Sequence, residues 1–353
     1  MDIYTHPLLP NLTFKARQGD SLVEEIGGIS LSLRSRFTYI PSRVKERITR
    51  LIGKKADYFR GELAVSRREI ERLEHEVFQT IVEAEVKRLD EEITKLKRPL
   101  REEFVEQLQL LRTQPEQARL FEKQQEEERR KREEQIQRLL AEKERLVQVS
   151  SDLHRRKVKD YFLWEIDFAE VFLEKGGFDI VIANPPYVRQ EEIAPPLLPL
   201  EEVDVEDKRR YKEQLERSIK THWGPGVKID KKSDLYVYFY YQSLALLREG
   251  GVFCFINSNS WLDVGYGGPL QEFLLKHMEI LQIIDNHAKR TFAESDVNTV
   301  IVLLRRPQQQ RKRWDHIAKF VAFKKPFEEA ITAQNLLALE AAQTITSIKR
   351  FFS

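Results

Sequence analysis

Four consecutive residues, Asn184-Pro185-Pro186-Tyr187, combine groups suited to chemistry on a planar amino group. The Asn184 side chain offers a carbonyl acceptor, and the Pro185 backbone carbonyl offers a second. Neither proline carries an N–H that would compete for them. Two acceptors side by side take both hydrogens of an NH2 group. That localises the nitrogen lone pair and favours the positive charge that develops when the nitrogen attacks an electrophile. Tyr187 adds a flat face on which a base can stack. Turn chemistry also accounts for such a tetrapeptide, as a strand stopped by two prolines beside a solvated asparagine.

The element that must present these residues is the apolar run Phe178 to Ala183, interrupted only by Asp179. It is short and β-branched and reads as a buried strand. Two prolines cannot continue a central strand, so the strand ends there and a stiff loop carries Asn184 and Tyr187 past the sheet edge. Open α/β sheets bind ligands beyond the carboxyl ends of their strands. Upstream, Trp164, Phe168, Val171 and Phe172 share one helical face, and Gly176-Gly177 ends that helix. Residues 188–233 are polar, with Pro195-Pro196, a charged stretch and a loop-like Thr221 to Lys232; this segment reads either as a lid or as a surface excursion. From Asp234 to Ile256 the pattern is an amphipathic helix, a Gly250-Gly251 cap and a buried strand, Val252 to Ile256. A helix from Leu270 to His277 and two strands, Ile280 to Ile284 and Thr299 to Leu304, complete an α/β pattern, the strands suiting an antiparallel pair. After Arg306 the chain is basic and polar, then weakly helical.

Residues 43–158 differ in character, being rich in Glu, Arg, Lys and Gln and poor in glycine. Ile70, Leu73, Val77, Ile81, Ala84, Leu89, Ile93 and Leu96 recur at helical spacing, Pro99 interrupts, and Ile136, Leu139, Leu140, Leu146 and Val147 resume the stripe. A helical hairpin or coiled-coil arm is expected, with a solvated, mixed-sign outer face. The 353 residues are 33% charged yet carry a formal net charge of only +2, so any nucleic-acid surface must be local. The single cysteine, Cys254, lies in an apolar run and is expected to be a buried thiol; one cysteine excludes an internal disulfide or a cysteine-based metal site. With no apolar run of membrane-spanning length and no signal peptide, a soluble cytoplasmic protein is expected.

The stretch GGFDIVIANPPYVRQEEI, residues 176–193, resembles the gamma-class DNA adenine-N6 methyltransferases of type II restriction-modification enzymes, the TaqI-like, type IIG group. LLREGGVFCFINSNSWL, residues 246–262, is similar to the sheet of the same enzymes. The resemblance implies a Rossmann-like S-adenosylmethionine-dependent methyltransferase sheet in residues 1–42 and 159–306. Residues 43–158 would be an inserted helical arm, and 307–353 the start of a truncated DNA-recognition region. It implies Asn184, Pro185, Pro186 and Tyr187 as the catalytic loop, with Tyr187 stacking on a flipped adenine of double-stranded DNA and no metal. It places Asp20 and Ser21, at the end of a short strand from Leu12 to Ala16, beside the adenine of S-adenosylmethionine, and Asp234 in the lining of the same pocket. Phe292 would pack on the target base, and His287, Lys289 and Arg290 would meet phosphates.

The chain departs from that family at one place. Its glycine-rich cofactor loop and the acidic partner of the ribose are not found, and Gly265, Gly267 and Gly268 lie in the wrong order to replace the loop. The sheet is therefore expected to be incomplete at its N-terminal side, the chain a fragment, and an upstream-encoded chain carrying the loop a partner. Similar Asn-Pro-Pro-Tyr motifs occur in RNA and protein-glutamine methyltransferases. A non-catalytic subunit that binds DNA or a partner through the arm is a further alternative.

Overall fold

The computed structural model describes residues 13–26, 29–30, 41–61, 65–97, 115–156, 162–286, 298–308 and 317–341. The chain forms two compact units, one of residues 1–17 and 25–161, the other of residues 18–24 and 162–353.

Among its described residues the first unit pairs two short antiparallel strands, β1 (Glu25–Ile26) and β2 (Ile29–Ser30), and contains three helices, α1 (Ser42–Phe59), α2 (Arg67–Lys97) and α3 (Pro115–Arg156). The stripe read from the sequence is the packed one: Ile70, Leu73, Val77, Ile81, Leu89 and Ile93 are buried, and α2 packs against both α1 and α3. Charge fixes the register of α1 on α2. Lys54–Glu69 (3.6 Å), Arg47–Glu76 (2.6 Å) and Arg43–Glu83 (3.5 Å) run antiparallel along the seam. Beneath them Lys55 and Glu74 form a buried pair at 3.1 Å, and Arg17 donates to the same carboxylate at 3.2 Å. Removing one member of such a pair costs on the order of 3–5 kcal/mol, because the other is left charged and dry. On α3, Leu146 is buried but Val147 is exposed, so the second stripe reaches the core only in part. The mixed-sign run is a solvated face laced with Glu127–Lys131, Arg129–Glu133 and Arg130–Glu134 pairs. The strand expected from Leu12 to Ala16 is not formed in its described part. Thr13 to Lys15 make a turn, and Phe14, at φ 64°, is buried edge-on against Tyr58 with the Arg17 guanidinium over its ring.

The second unit is the expected α/β sheet. Its strands are β3 (Phe178–Ala183), β4 (Leu247–Ser258), β5 (Glu279–Asn286), β6 (Thr299–Arg305) and β7 (Lys319–Phe323), in the order β3-β4-β6-β5-β7. β3 runs parallel to β4, β6 is antiparallel to both β4 and β5, and β7 is parallel to β5. Helices α4 (Trp164–Asp167) and α5 (Ala169–Lys175) lead into β3, breaking at Phe168. Trp164, Phe168 and Phe172 all pack their rings on Phe178, which is why one helical face was legible in the sequence although the helix is interrupted. Gly176 takes the left-handed conformation that closes α5, at φ 76°. Gly177 follows at φ 147°, where a methyl group would lie 2.6 Å from the Leu246 carbonyl oxygen.

Several expectations are corrected. β3 has the predicted span but is not buried: it is an edge strand, and Ile180 and Ile182 are 65% and 75% exposed. Val181 and Ala183 alternate onto the other face, which packs into the core with Phe253, Phe255, Val300 and Val302. Gly250-Gly251 do not cap a helix. They lie inside β4, which starts at Leu247, and the pairing register slips between Phe178 and Ile180 where Gly251 passes the Phe178 carbonyl. The helix before it, α7 (Leu235–Leu246), is not amphipathic but buried almost throughout, since it packs against β3 and β4 and also against α6 (Val205–Trp223). α6 runs to Trp223, taking in the first three residues of the expected loop. Cys254 is half-buried rather than buried, and its burial raises the thiol pKa. β7 was not foreseen. Next along the chain come the short helices α8 (Ser260–Asp263) and α9 (Gly268–His277), the latter packing on β5.

Candidate active site

Asn184 to Tyr187 leave the carboxyl end of β3 as an extended loop, with Pro185 buried, Asn184 exposed and Tyr187 half-buried. The Tyr187 hydroxyl donates to Asn184 Oδ1 at 2.8 Å and lies 3.4 Å from the Ile256 carbonyl of the adjacent β4. The phenol thus folds back to the ends of both strands and orients the carboxamide. Burial pushes the Tyr187 pKa up to about 12, so the group remains a donor through neutral and mildly alkaline pH. An amide oxygen has two lone pairs, so Asn184 keeps one acceptor site beyond this contact.

The loop is pinned just downstream. The Gln190 N–H donates to Asp234 Oδ1 at 3.0 Å, and the Leu235 N–H donates to the Val188 carbonyl at 3.0 Å. The other oxygen of Asp234 accepts from Tyr266 at 3.3 Å, and the Tyr236 and Tyr266 hydroxyls lie 3.0 Å apart. Asp234 precedes α7 without capping it. Its carboxylate accepts from the segment that follows Asn184–Tyr187 and from Tyr266 instead, and burial raises its pKa. Beside it, at the end of β4, buried Asn257 accepts from Tyr240 at 2.7 Å, and Ser258 and Ser260 share a hydrogen bond at 2.7 Å.

The segment 18–24 is tied to the same unit. Asp20 Oδ1 accepts from the Leu22 and Val23 N–H groups at 2.9 and 3.3 Å, and Asp20 Oδ2 accepts from Tyr211 on α6 at 2.8 Å. The Ser21 carbonyl accepts from the Trp164 indole at 3.0 Å. Glu24, 1% exposed, meets His222 at 2.6 Å and the Gln242 amide at 3.1 Å. Glu24, Tyr211 and Tyr266 were missed in the sequence, where nothing in local spacing links residues so far apart; Tyr236 and Tyr240, which the sequence reads as core rather than cofactor contacts, are buried. Phe292, His287, Lys289 and Arg290 lie outside the described residues. Gly265–Gly267 form a short 3-10 turn and Gly268 opens α9, so they make no phosphate-type loop, and Gly267 passes so close to the Trp261 carbonyl that no side chain fits. Among the described residues no cluster of His, Cys, Asp or Glu could hold a metal ion, and no helix is long and apolar enough to cross a membrane.

Residues 68–292 match the Eco57I restriction-modification methylase family, well over half of the chain. The chain belongs to that family. It is similar to the type II methyltransferase M.PaeR7I of Pseudomonas aeruginosa, with 33% identity over 126 residues, 36% of this chain and 18% of that protein. M.BstVI of Geobacillus stearothermophilus is 31% identical over 133 residues, 38% of this chain and 19% of that one. The chain thus matches about a fifth of the length of these relatives. Among solved structures, the type IIG restriction endonuclease BpuSI overlaps 48% of this chain and 18% of its own, at 17% identity and a TM-score of 0.35. The ATP-dependent type ISP enzyme LlaBIII bound to DNA overlaps 47% and 11%, at 14% identity and a TM-score of 0.31. The family match spans both units and includes the Asn184–Tyr187 loop.

If Asp234 pins the loop, Asp234→Ala should expose the Gln190 amide. A lost hydrogen bond to a charged group is worth about 1.5–3 kcal/mol, so hydrogen exchange at Gln190 should quicken by roughly tenfold or more. Asp234→Asn retains an acceptor and should exchange more slowly than the alanine variant. Exchange at Gln190 unchanged by the alanine substitution would contradict the pin.

Proposed function

We propose that this chain is the catalytic part of a DNA adenine-N6 methyltransferase that uses S-adenosylmethionine. The observation that carries the reading is the loop at the end of β3, where Asn184 Oδ1 is held by the Tyr187 hydroxyl beside the Pro185 backbone. The remaining lone pair of Oδ1 and the Pro185 carbonyl would accept the two amino hydrogens of an adenine turned out of the duplex. Both carbonyl dipoles would stabilise the positive charge growing on that nitrogen. Tyr187 would present its ring to the base while its hydroxyl keeps the carboxamide in place. S-adenosylmethionine supplies a methyl group already activated on a sulfonium, so no metal is called for, and the protein's task is positioning. DNA as the substrate class is supported by the type II methyltransferases that the chain resembles.

The described residues fit the cofactor only in part. Asp20 and Asp234 each offer a carboxylate, but both already accept from protein donors. Among the described residues no strand runs through a glycine-rich turn into a helix. We infer that a further stretch of polypeptide, upstream in the same protein or on a separate chain, pairs with the edge of β3 that no described strand occupies and brings that turn. The exposure of Ile180 and Ile182 supports this, since covering each would return on the order of 2 kcal/mol.

Two outcomes are expected. In the assembled methyltransferase, Asn184→Ala should lower tritiated-methyl transfer to DNA by about a hundredfold or more, with little change in affinity for S-adenosylmethionine; near-normal turnover would remove Asn184 from the reaction. By calorimetry the 353-residue chain should bind S-adenosylmethionine weakly or not at all, and a polypeptide completing the sheet should restore binding. Micromolar binding by the chain alone would overturn the inferred completion.

A further inference from the structure

The connection between the reactive loop and α6 carries a surface that the proposed reaction does not use. Past Ile193, which is fully buried, Leu197, Leu198, Leu200 and Val205 turn to solvent, at 68%, 43%, 76% and 85% exposed. They are not the tip of a slack loop. Pro195, Pro196 and Pro199 restrict the backbone, and short 3-10 turns form at Gln190–Glu192 and Leu200–Glu202. Asp204 and Asp207 close a capping box at the start of α6. From α6, Lys208 donates to the Glu191 carbonyl at 3.2 Å and Lys212 to Gln190 Oε1 at 3.1 Å. The leucines are therefore displayed in a fixed shape, which lowers the ordering cost of binding. Several exposed aliphatic side chains grouped in one short segment and flanked by polar groups point to an interaction surface.

Charge decides the kind of partner. Glu191, Glu192, Glu201, Glu202 and Asp204 are exposed along the segment, and no lysine or arginine lies between 191 and 207. That acidic rim stands in a chain of net charge +2. A phosphate backbone is repelled by it, so the leucines are not a wedge for a DNA duplex. We propose that residues 195–207 dock a partner protein through a Lys/Arg-rich amphipathic helix, its apolar face covering the leucines and its cations meeting the carboxylates. The segment begins five residues beyond Gln190, so a protein seated there lies next to the reactive loop. This inference rests on exposure and charge, not on methyl transfer, and can fail or hold separately.

The probe is a fluorescent 14-residue peptide of leucine and lysine with helical amphipathic spacing, set against a leucine–glutamate peptide of the same pattern. The 353-residue chain should bind the first at micromolar concentration in low salt and should not bind the second. Leu197→Ser/Leu198→Ser/Leu200→Ser and, separately, Glu201→Lys/Glu202→Lys should each weaken binding at least tenfold. Both variants should keep the parent unfolding midpoint, because the substituted side chains are exposed. Equal binding by parent and variants, or none by the parent, would overturn the proposal. So would self-association that the triple variant abolishes, which assigns the surface to a second copy, or loss of DNA retention in that variant, which assigns it to nucleic acid.

Discussion

The hydrogen bond from Tyr187 to Asn184 is the contact on which the site depends. An exposed asparagine at the end of a strand would otherwise rotate freely, and its amide would offer donor and acceptor alike. The tyrosine hydroxyl, kept protonated by burial and close to the Ile256 carbonyl, selects the oxygen. Two prolines remove the backbone donors that would compete for the same acceptors. The proposed chemistry and the strand termination would thus be served by the same four residues.

The rest of the second unit keeps that loop in place. Asp234 and Leu235 hold it at Gln190 and Val188, and Tyr266 and Tyr236 back the carboxylate. α7 is buried from both sides, so the start of the helix that supplies Asp234 is a rigid support. The N-terminal segment is anchored by Asp20 and by buried Glu24. Among the described residues β3 is paired on one edge only, and its Ile180 and Ile182 are exposed. That asymmetry places the reactive loop beside the least covered part of the sheet.

Much of this was legible in the sequence. β3, α9, β5 and β6 were found because their apolar periodicity is strong and their ends carry prolines, glycines or polar runs. The helical stripe from Ile70 to Ile93 is the buried one because spacing near three and four residues survives any choice of partner. Long-range facts were not legible. An apolar run such as Phe178 to Ala183 reads the same at an edge as in the middle of a sheet, so its local pattern says buried; only the missing cofactor loop pointed to an exposed edge, where Ile180 and Ile182 lie. Gly250-Gly251 look like a helix stop, yet they allow β4 to pass close to Phe178. Asp234 was picked out by resemblance; its described contacts are with the Gln190 N–H and the Tyr266 hydroxyl. β7, only five residues long (Lys-Phe-Val-Ala-Phe), gave too weak an alternation to be seen.

The central claim is that the Asn184–Pro185 acceptors grip the exocyclic amine of an adenine. The most direct test is to methylate DNA of mixed sequence with the assembled enzyme, digest it to nucleosides and identify the methylated one by mass spectrometry. N6-methyladenine is the expected product. N4-methylcytosine would keep the amino-group clamp and move it to another base. 5-Methylcytosine, or methylation of a ring carbon of any base, would contradict the account.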